Sequence, residues 1–279
     1  MEQINMPTLA HLGFQRFLPC VALQPYIQCY WHIVRAAGAE SLSTEFMHPE
    51  GGSGIIFNFG APIHLDGKQH GAHCLVTGPT RQSTKLELSG KVDALGVRFW
   101  PGSGRAFLNA PLSEMLGQNL TPTDLSLALL GDELTERLAA LPTAPTRIAL
   151  LENRLLHYLA ARESMIDASE SRMRHALNWI TRQRGQGELR HLLSELDIGQ
   201  RQLERLFLQD VGMTPKNYSI IQRTAYAKEL LRHDTGKSLT DIGYHAGFYD
   251  QAHFIREFKK VIGITPGIYR NKALHNPKR

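Results

Sequence analysis

Two stretches in the last third of the chain carry polar side chains at helical spacing beside an apolar stripe. The stripe consists of Leu203 and Phe207 in the first stretch and of Phe254, Phe258 and Ile262 in the second. The opposite faces carry Gln200, Arg201, Glu204 and Arg205 in the first stretch and Gln251, His253, Arg256 and Lys260 in the second. Arg can form two hydrogen bonds to guanine, Gln can bind adenine, and Glu can accept from cytosine. These faces therefore suit base edges and phosphates.

The two stretches belong to an internal repeat, the strongest pattern in the sequence. Separated by 51 residues, the matching positions are Gly212, Thr214, Pro215 and Tyr218 with Gly263, Thr265, Pro266 and Tyr269, and Leu203, Arg205 and Phe207 with Phe254, Arg256 and Phe258. Separated by 50 residues, they are Leu189, Leu192 and Leu196 with Leu239, Ile242 and Ala246. A single charged helix face is most often plain solvated surface, but a repeated one favours contact with bases or phosphates.

Each repeat is predicted to form a helix, a glycine-containing turn and a second helix. Ser238 begins the second repeat as a helix cap, with Asp241 three residues later. Thr214 as N-cap and Pro215 as first helical residue predict a long connecting helix over residues 215–233. That helix would be about 28 Å long at 1.5 Å per residue. It is long enough to place two helices in successive major grooves, which are about 34 Å apart.

Charge is distributed unevenly along the chain. The 279 residues carry 31 Lys and Arg against 26 Asp and Glu, a net charge of +5. Residues 170–279 carry 19 against 11, or +8, whereas residues 1–169 carry 12 against 15, or −3. A basic C-terminal third beside a slightly acidic remainder is typical of a domain that binds a polyanion. Composition alone leaves DNA, RNA and a membrane surface open as that polyanion.

Length and patterning divide the chain into two domains joined by a linker. Residues 1–110 alternate short apolar strands with Gly and Pro, which predicts a β-rich barrel or sandwich. Residues 111–163 show helical periodicity and form a helical extension that is a candidate for dimerisation. Residues 164–171 are polar and small, which indicates a linker. We therefore expect an α+β protein whose C-terminal domain, residues 172–272, is all-α and is followed by a basic tail at 273–279.

The second repeat resembles the signature of a known family. It runs Leu239-Thr240-Asp241-Ile242-Gly243-Tyr244-His245-Ala246-Gly247-Phe248-Tyr249-Asp250-Gln251-Ala252-His253-Phe254-Ile255-Arg256-Glu257-Phe258-Lys259-Lys260, followed by Gly263, Thr265-Pro266 and Tyr269-Arg270. Over roughly residues 170–272, this pattern resembles the AraC/XylS family of transcription regulators. The resemblance implies a seven-helix module with two helix-turn-helix units that binds promoter DNA, with RNA polymerase as a further partner.

The resemblance also implies which side chains face the bases. By their position in the motif, they are Arg201, Glu204 and Arg205 in the first unit and Gln251, Ala252, His253 and Arg256 in the second. Three lysines near helix ends suit phosphate contacts: Lys216, Lys259 and Lys260. Two positions depart from the family pattern. Gly243 replaces the usual alanine, which should weaken its helix by up to ~1 kcal/mol, and Ala252 stands where a polar residue is common.

The N-terminal region resembles, less specifically, a domain that often accompanies this module. The matching segments include His48-Pro49-Glu50-Gly51-Gly52 and Gly96-Val97-Arg98-Phe99-Trp100-Pro101-Gly102. By analogy it should sense a small molecule or form a homodimer. Aromatic side chains around one cation would suit an anionic or planar effector. The candidate pocket residues are Trp31, His32, Phe57, Phe59, Arg98 and Trp100, although the same side chains would also suit an apolar core.

Three functions remain open at this point: a regulator that responds to a small molecule, a ligand-independent dimeric DNA-binding protein, and an enzyme that uses the module to reach DNA. An alkylation-repair enzyme needs a reactive cysteine or a four-cysteine zinc site, and the three scattered cysteines argue against it. A metal enzyme needs a recognisable ligand pattern, and the cluster of His64, His70, His73 and Cys74 has no standard zinc spacing. We expect no catalytic residue, no metal and no cofactor.

Segments that direct a protein to a membrane or out of the cell are not evident in the sequence. No apolar run reaches the ~18 residues that a membrane-spanning helix needs, and residues 1–17 lack a secretion-signal pattern. Three cysteines, Cys20, Cys29 and Cys74, form an odd and widely spaced set that is typical of reduced thiols. We expect a cytoplasmic protein with double-stranded promoter DNA as its main partner and no membrane contact.

Overall fold

The N-terminal half of the chain forms antiparallel β-structure. The computed structural model describes residues 3–4, 13–36, 43–71, 73–161, 168–234 and 236–275. The strands in this part of the chain are β1 (Gln3–Ile4), β2 (Phe14–Phe17), β3 (Ile27–Arg35), β4 (Ser43–Met47), β5 (Gly54–Asn58), β6 (Ile63–Leu65), β7 (Lys68–His70), β8 (Cys74–Thr77), β9 (Thr84–Leu88), β10 (Val92–Phe99) and β11 (Asn119–Leu120).

These strands form two sheets that pack face to face. The larger sheet has the order β1-β2-β3-β10-β5-β8-β11, and the smaller has the order β4-β9-β6-β7. Side chains alternate across the larger sheet, so Ile55 and Phe57 of β5 point away from the smaller sheet while Ile56 packs with Ile63 and Leu88 between the two sheets. Of the two predicted architectures, the sandwich is the one that forms.

Helices cover the other face of the larger sheet. They are α1 (Arg105–Leu108), α2 (Asp132–Ala139) and α3 (Ala144–Ala160), with a 3₁₀ turn at Ala128–Leu130. Leu138, Leu151 and Leu155 are buried against Phe57 and Phe99 of the sheet, as the helical periodicity of this region predicts. Most of residues 111–127 form turns, so the helices predicted to follow residue 110 begin only at α2.

Seven helices make up the C-terminal part of the chain that the structure describes. They are α4 (Ala168–Arg182), α5 (Leu189–Leu196), α6 (Gln200–Asp210), α7 (Pro215–His233), α8 (Leu239–His245), α9 (Gln251–Ile262) and α10 (Pro266–His275). The long connecting helix α7 covers the predicted range and begins as predicted, since the Thr214 hydroxyl accepts a hydrogen bond of 3.2 Å from the Asn217 backbone nitrogen. The predicted α+β class and all-α C-terminal domain are confirmed.

Helix α7 joins two separate small cores. One core contains Leu203 and Phe207 of α6 together with Ile221 of α7. The other contains Phe258 of α9 together with Leu231 of α7. Each helix pair therefore has its own apolar centre, and the two are connected through one continuous helix.

Candidate nucleic-acid interface

The first helix-turn-helix unit consists of α5 and α6. Asp197 forms the turn in a left-handed conformation (φ 50°), which Asp and Asn tolerate better than most residues. Leu203, Leu206 and Phe207 are buried in the first core, and this orients the polar side of α6 outward. Arg201 and Arg205 are exposed there, and Glu204 is half-buried. Nε2 of Gln200 donates a hydrogen bond of 2.9 Å to Glu204.

The second unit consists of α8 and α9, and its helices are capped by side chains. Ser238 and Asp241 form the predicted capping box at the start of α8. The Asp250 carboxylate accepts a hydrogen bond of 2.6 Å from the His253 backbone nitrogen and so caps α9. Gly247 provides the turn with a φ of 80°, a conformation that favours glycine. Because Phe254 and Phe258 are buried, the polar side of α9 faces outward.

The second helix of each unit, α6 or α9, is here called a recognition helix. Gln251, Ala252 and Arg256 are exposed on α9, and His253 is half-buried. Arg201, Arg205 and Arg256 form no salt bridge with any residue that the structure describes. Their guanidinium groups are therefore available to an external acceptor, as base or phosphate contacts require.

Hydrogen bonding fixes the ring of His253. Its Nδ1 accepts a hydrogen bond of 3.4 Å from the Tyr249 backbone nitrogen, and the ring packs edge-on against Phe248 at 5.7 Å. An accepting Nδ1 carries no proton, so Nε2 carries the proton of the neutral ring. His253 therefore offers one N–H donor at the start of α9.

Gly243, which departs from the family pattern, lies at a close helix contact. A Cβ atom at this position would lie 2.9 Å from Cδ1 and 3.0 Å from Cβ of Phe254. Any side chain there would displace the first turn of the recognition helix α9. The structure thus supplies a packing reason for the glycine that helix propensity alone did not suggest.

Two exposed tyrosines flank the second recognition helix, and sequence reasoning did not select them. Tyr244 on α8 is 78% exposed, and Tyr249 in the turn before α9 is 91% exposed. Large aromatic side chains are seldom so exposed without a partner, and the phenol group can bind a phosphate while the ring contacts a sugar or base. The sequence pattern that could have identified them is an aromatic residue on the polar side of a helix for Tyr244, and an aromatic residue in a turn for Tyr249.

The three predicted phosphate-binding lysines all lie on the surface. Lys216 is exposed in the first turn of α7, and Lys259 and Lys260 are exposed in the last turn of α9. These positions lie at the ends of helices that flank the polar faces, where cations can contact a nucleic-acid backbone.

The six predicted effector-pocket residues lie in four different environments. Phe57 is in the core between the larger sheet and the helices, and Trp31, on the other face of the sheet, stacks on Phe14 at 5.9 Å. His32 and Phe59 both contact Arg147 of α3, whose guanidinium also binds Asp93 at 2.5 and 3.2 Å. Burial, followed by the Arg147 charge, lowers the pKa of His32. The structure does not bring these four residues together with Arg98 and Trp100.

Arg98 and Trp100 line a cleft between the two domains. The cleft has a volume of about 480 Å³, and its other wall comes from α4 and α7. Arg98 lies 3.4 Å from the Glu50 carboxylate, and Nε1 of Trp100 donates to the Gln24 carbonyl oxygen at 3.1 Å. Polar groups, an aromatic ring and apolar side chains thus surround a space of the size that small ligands occupy.

Next to this cleft, the N-terminal domain covers part of α7. Burial, together with the charge of the neighbouring Arg232, lowers the pKa of Lys228 on α7 to about 8, while Glu50 opposes the shift. Burial, with the charges of Lys228 and Arg232, lowers the pKa of His48 to about 4. At neutral pH His48 is therefore an uncharged group within the contact between the domains.

The cysteine environments bear on the enzyme alternative. Burial raises the pKa of the Cys74 thiol to about 12, and it also raises those of Cys29 and Cys20. A nucleophilic cysteine acts as a thiolate, which a lowered pKa favours. The environments of these three cysteines raise the thiol pKa and therefore disfavour the thiolate.

The residues in the described ranges hold neither a cluster that could bind a metal ion nor a helix that could span a membrane. No three His, Cys, Asp or Glu side chains within those ranges are grouped so as to hold a metal ion, and this includes the surroundings of His64, His70, His73 and Cys74. Among the same residues, no helix combines the length and the apolar character that crossing a bilayer requires.

The geometry defines a module with two helix-turn-helix units attached to a β-sandwich. Two family models match the chain: "Domain of unknown function (DUF6597)" over residues 15–121 and "Helix-turn-helix domain" over residues 192–272. The HTH-type transcriptional activator RhaS of Escherichia coli O157:H7 is 30% identical over 125 residues, which cover 44% of this chain and 45% of RhaS. The Arabinose operon regulatory protein of Salmonella typhimurium is 31% identical over 126 residues, 44% of each chain.

The C-terminal domain is therefore an AraC-type helix-turn-helix domain, homologous to that of RhaS and of the arabinose regulator, and the predicted family resemblance is confirmed. The matches span less than half the length of these curated relatives. Among solved structures, ToxT from Vibrio cholerae matches 86% of this chain and 98% of its own length, at 12% identity and a TM-score of 0.43.

Proposed function

We propose that this protein is a sequence-specific DNA-binding regulator of transcription. The proposal depends mainly on one observation: the recognition helices of two homologous units expose Arg205 and Arg256 at equivalent positions, and neither arginine has an acidic partner among the described residues. A helix of this kind fits the major groove, and two units on one connecting helix suit two neighbouring grooves.

We propose that some side chains on the exposed faces bind base edges and that others bind phosphates. Arg201, Arg205 and Arg256 donate to guanine, Gln251 binds adenine, and Glu204 accepts from cytosine. His253 contributes its Nε2–H, and Ala252 contacts the methyl group of a thymine. The lysines at positions 216, 259 and 260 bind phosphates and contribute most of the salt dependence.

The same proposal places a small-molecule effector in the cleft between the domains. Arg98 and Trp100 of the predicted pocket set line that cleft, opposite Met173 and Tyr218 of the C-terminal domain. A ligand that contacts both walls has different affinities for two arrangements of the domains, which is the condition for a population shift. Saturation with such a ligand should raise the melting temperature, and Trp100→Ala should reduce the increase. A screen in which no metabolite raises it would favour a ligand-independent homodimer instead.

We also propose a cellular location and a protein partner. A regulator of transcription acts in the cytoplasm of a bacterium and contacts RNA polymerase at the promoters it binds. The relatives named above are regulators rather than enzymes, so we propose no catalytic residue, metal or cofactor.

A binding experiment tests the DNA contacts. A preferred site is selected from random duplex DNA with the full chain, and its affinity is compared among wild type, Arg205→Ala and Arg256→Ala. Each change should cost about 1–3 kcal/mol, or roughly 5- to 150-fold, because a bidentate contact to a base is lost. Binding should also weaken steeply with salt.

The matched control is Arg137→Ala, which removes the same charge from an exposed helix of the N-terminal domain. Its side chain is 58% exposed, and Glu133 is its only ion-pair partner among the residues that the structure describes. We expect a change smaller than twofold or so for this variant. If neither recognition-helix variant alters affinity or sequence preference, these arginines are not the reading residues.

A further inference from the structure

The N-terminal domain binds both recognition helices at their C-terminal ends. At α9, the backbone nitrogen and the hydroxyl of Ser83 both donate to the Val261 carbonyl oxygen, at 2.8 and 3.0 Å. At α6, the backbone nitrogens of Leu112 and Ser113 donate to the carbonyl oxygens of Gln209 and Leu208, at 2.8 and 3.0 Å. Two separate loops of one domain therefore reach the last turn of the recognition helix in both repeats.

The carbonyl oxygens that are bound in this way have no hydrogen-bond donor within their own helix. The last four carbonyl oxygens of a helix have no donor within the helix and need one from elsewhere. Val261, Gln209 and Leu208 all lie in the last turn of their helices. The N-terminal domain supplies the missing donors, so its position is tied to the ends of both helices.

The N-terminal domain also contacts one pair of equivalent residues in the two repeats. Tyr218 and Tyr269 are 51 residues apart, and both are buried. A Cβ atom on Gly51 would lie 2.7 Å from Cε2 of Tyr218, and the ring of His48 lies 6.4 Å from the ring of Tyr269. Residues 48–51 of the sandwich thus touch both tyrosines.

Side chains link these contacts to one another. The Ser83 hydroxyl donates to Val261, so the 2.8 Å bond between Ser83 and His48 has Nδ1 of His48 as its donor. At the other helix, Arg105 lies 2.8 Å from the carboxylate of Asp210, which is largely buried at the end of α6. Burial raises the pKa of Asp210, and the Arg105 charge opposes that shift.

We propose that Ser83 and Arg105 are positioning residues that fix the two recognition helices relative to each other, and so set the spacing of the two DNA half-sites. The inference rests on the proposed DNA-binding function. Without the sandwich, the two cores would be connected by α7 and by a hydrogen bond of 3.1 Å from Nε2 of Gln186 to the His245 carbonyl oxygen. With it, any change in their relative position must break hydrogen bonds to one unit or the other.

Two charge-changing variants break one contact each. Ser83→Asp places a carboxylate against the Val261 carbonyl at the negative end of the helix dipole. Arg105→Glu places a like charge beside Asp210. The matched controls are Ser89→Asp, at an exposed residue in the turn between β9 and β10, and Arg137→Glu on α2. Ser83→Thr keeps both donors and should behave as wild type.

The first measurement requires no DNA. Spin labels at the exposed positions Gln202 and Lys260, in a Cys20→Ser background, report the distance distribution between α6 and α9 in the full chain. We expect one narrow peak for wild type, Ser83→Thr and both controls, and a broader or shifted distribution for Ser83→Asp and Arg105→Glu. Unchanged distributions in the two variants would overturn the positioning role.

The second measurement uses the selected DNA site with one or two base pairs inserted between its half-sites. Wild type and controls should lose about tenfold or more in affinity on insertion, whereas the two variants should lose roughly threefold or less. Equal losses in all proteins would overturn the inference, since a merely destabilised fold weakens binding without relaxing the spacing. If wild type binds no duplex at all, the proposed function fails, and the spin-label distances still decide whether the contacts position the helices.

Discussion

The two helix-turn-helix units share a framework but are stabilised in different ways. In the second unit, Ser238 and Asp250 cap both helices with side-chain oxygens. In the first unit, the corresponding cap positions are Glu188 and Gly199, and neither provides a side-chain hydrogen bond. The second unit is thus supported by local sequence, whereas the first has weaker local support.

The N-terminal domain supports the first unit more strongly than the second. The first unit receives two backbone hydrogen bonds from Leu112 and Ser113, an ion pair from Arg105, and the side chain of Leu116 packed against its core. The second unit is contacted mainly through Ser83 and His48. One fold can therefore be stabilised by its own caps or by a neighbouring domain. The first unit is the one more closely coupled to the sandwich.

Substitution of two equivalent core residues tests this difference in stabilisation and should have the largest effect. Phe207 and Phe258 are the same residue type 51 positions apart, and both are fully buried. Each change to Ala should cost about 3–5 kcal/mol. Phe258→Ala should unfold the second unit in a separate, earlier transition, whereas Phe207→Ala should lower the main transition. Hydrogen exchange resolved by segment measures both, and identical patterns would contradict the difference in coupling.

Gly243→Ala tests the close contact that is specific to the second unit. The added methyl group meets Cβ of Phe254, which cannot rotate away, so the overpacking cost should lie in the upper part of the usual 1–3 kcal/mol. The gain in helix propensity is about 1 kcal/mol. We expect a net loss of about 2 kcal/mol in chemical denaturation. A more stable variant would show that Phe254 does not constrain this position.

The helix caps give the smallest expected effects. Asp250→Ala should destabilise the protein by about 1 kcal/mol, because it removes the oxygen that accepts from the His253 backbone nitrogen. In the first unit, Gly199→Asp should add a few tenths of a kcal/mol, since glycine is already a fair cap. Denaturation midpoints measure both. Equal and opposite effects at the two positions would mean that neighbouring contacts do not compensate for the missing cap.

Local features of the C-terminal domain were predictable because they depend on residues near one another in sequence. Thr214 with Pro215 predicted the start of α7, Ser238 with Asp241 predicted the capping box, and the repeat predicted two similar units. Each of these is a short-range pattern with a direct physical cause. The polar faces followed from helical periodicity, since buried Phe254 and Phe258 determine which side of α9 is exposed.

Long-range pairings were not predictable in the same way. Nothing in the periodicity of Ser83 or Leu112 indicates that their loops reach the ends of α9 and α6. For the effector set, Trp31 and His32 are adjacent in β3, so the alternation of a strand separates their side chains. Arg98 and Trp100 lie at the end of β10, and only the packing of the two domains creates the cleft around them.

Base-resolved methylation interference on the selected duplex tests whether α6 and α9 occupy two major grooves of one site. We expect two clusters of critical guanines, with centres about 10–10.5 base pairs apart. Arg205→Ala should remove interference at one cluster and Arg256→Ala at the other. A single cluster, or loss of the same guanines in both variants, would show that the two helices do not read separate grooves.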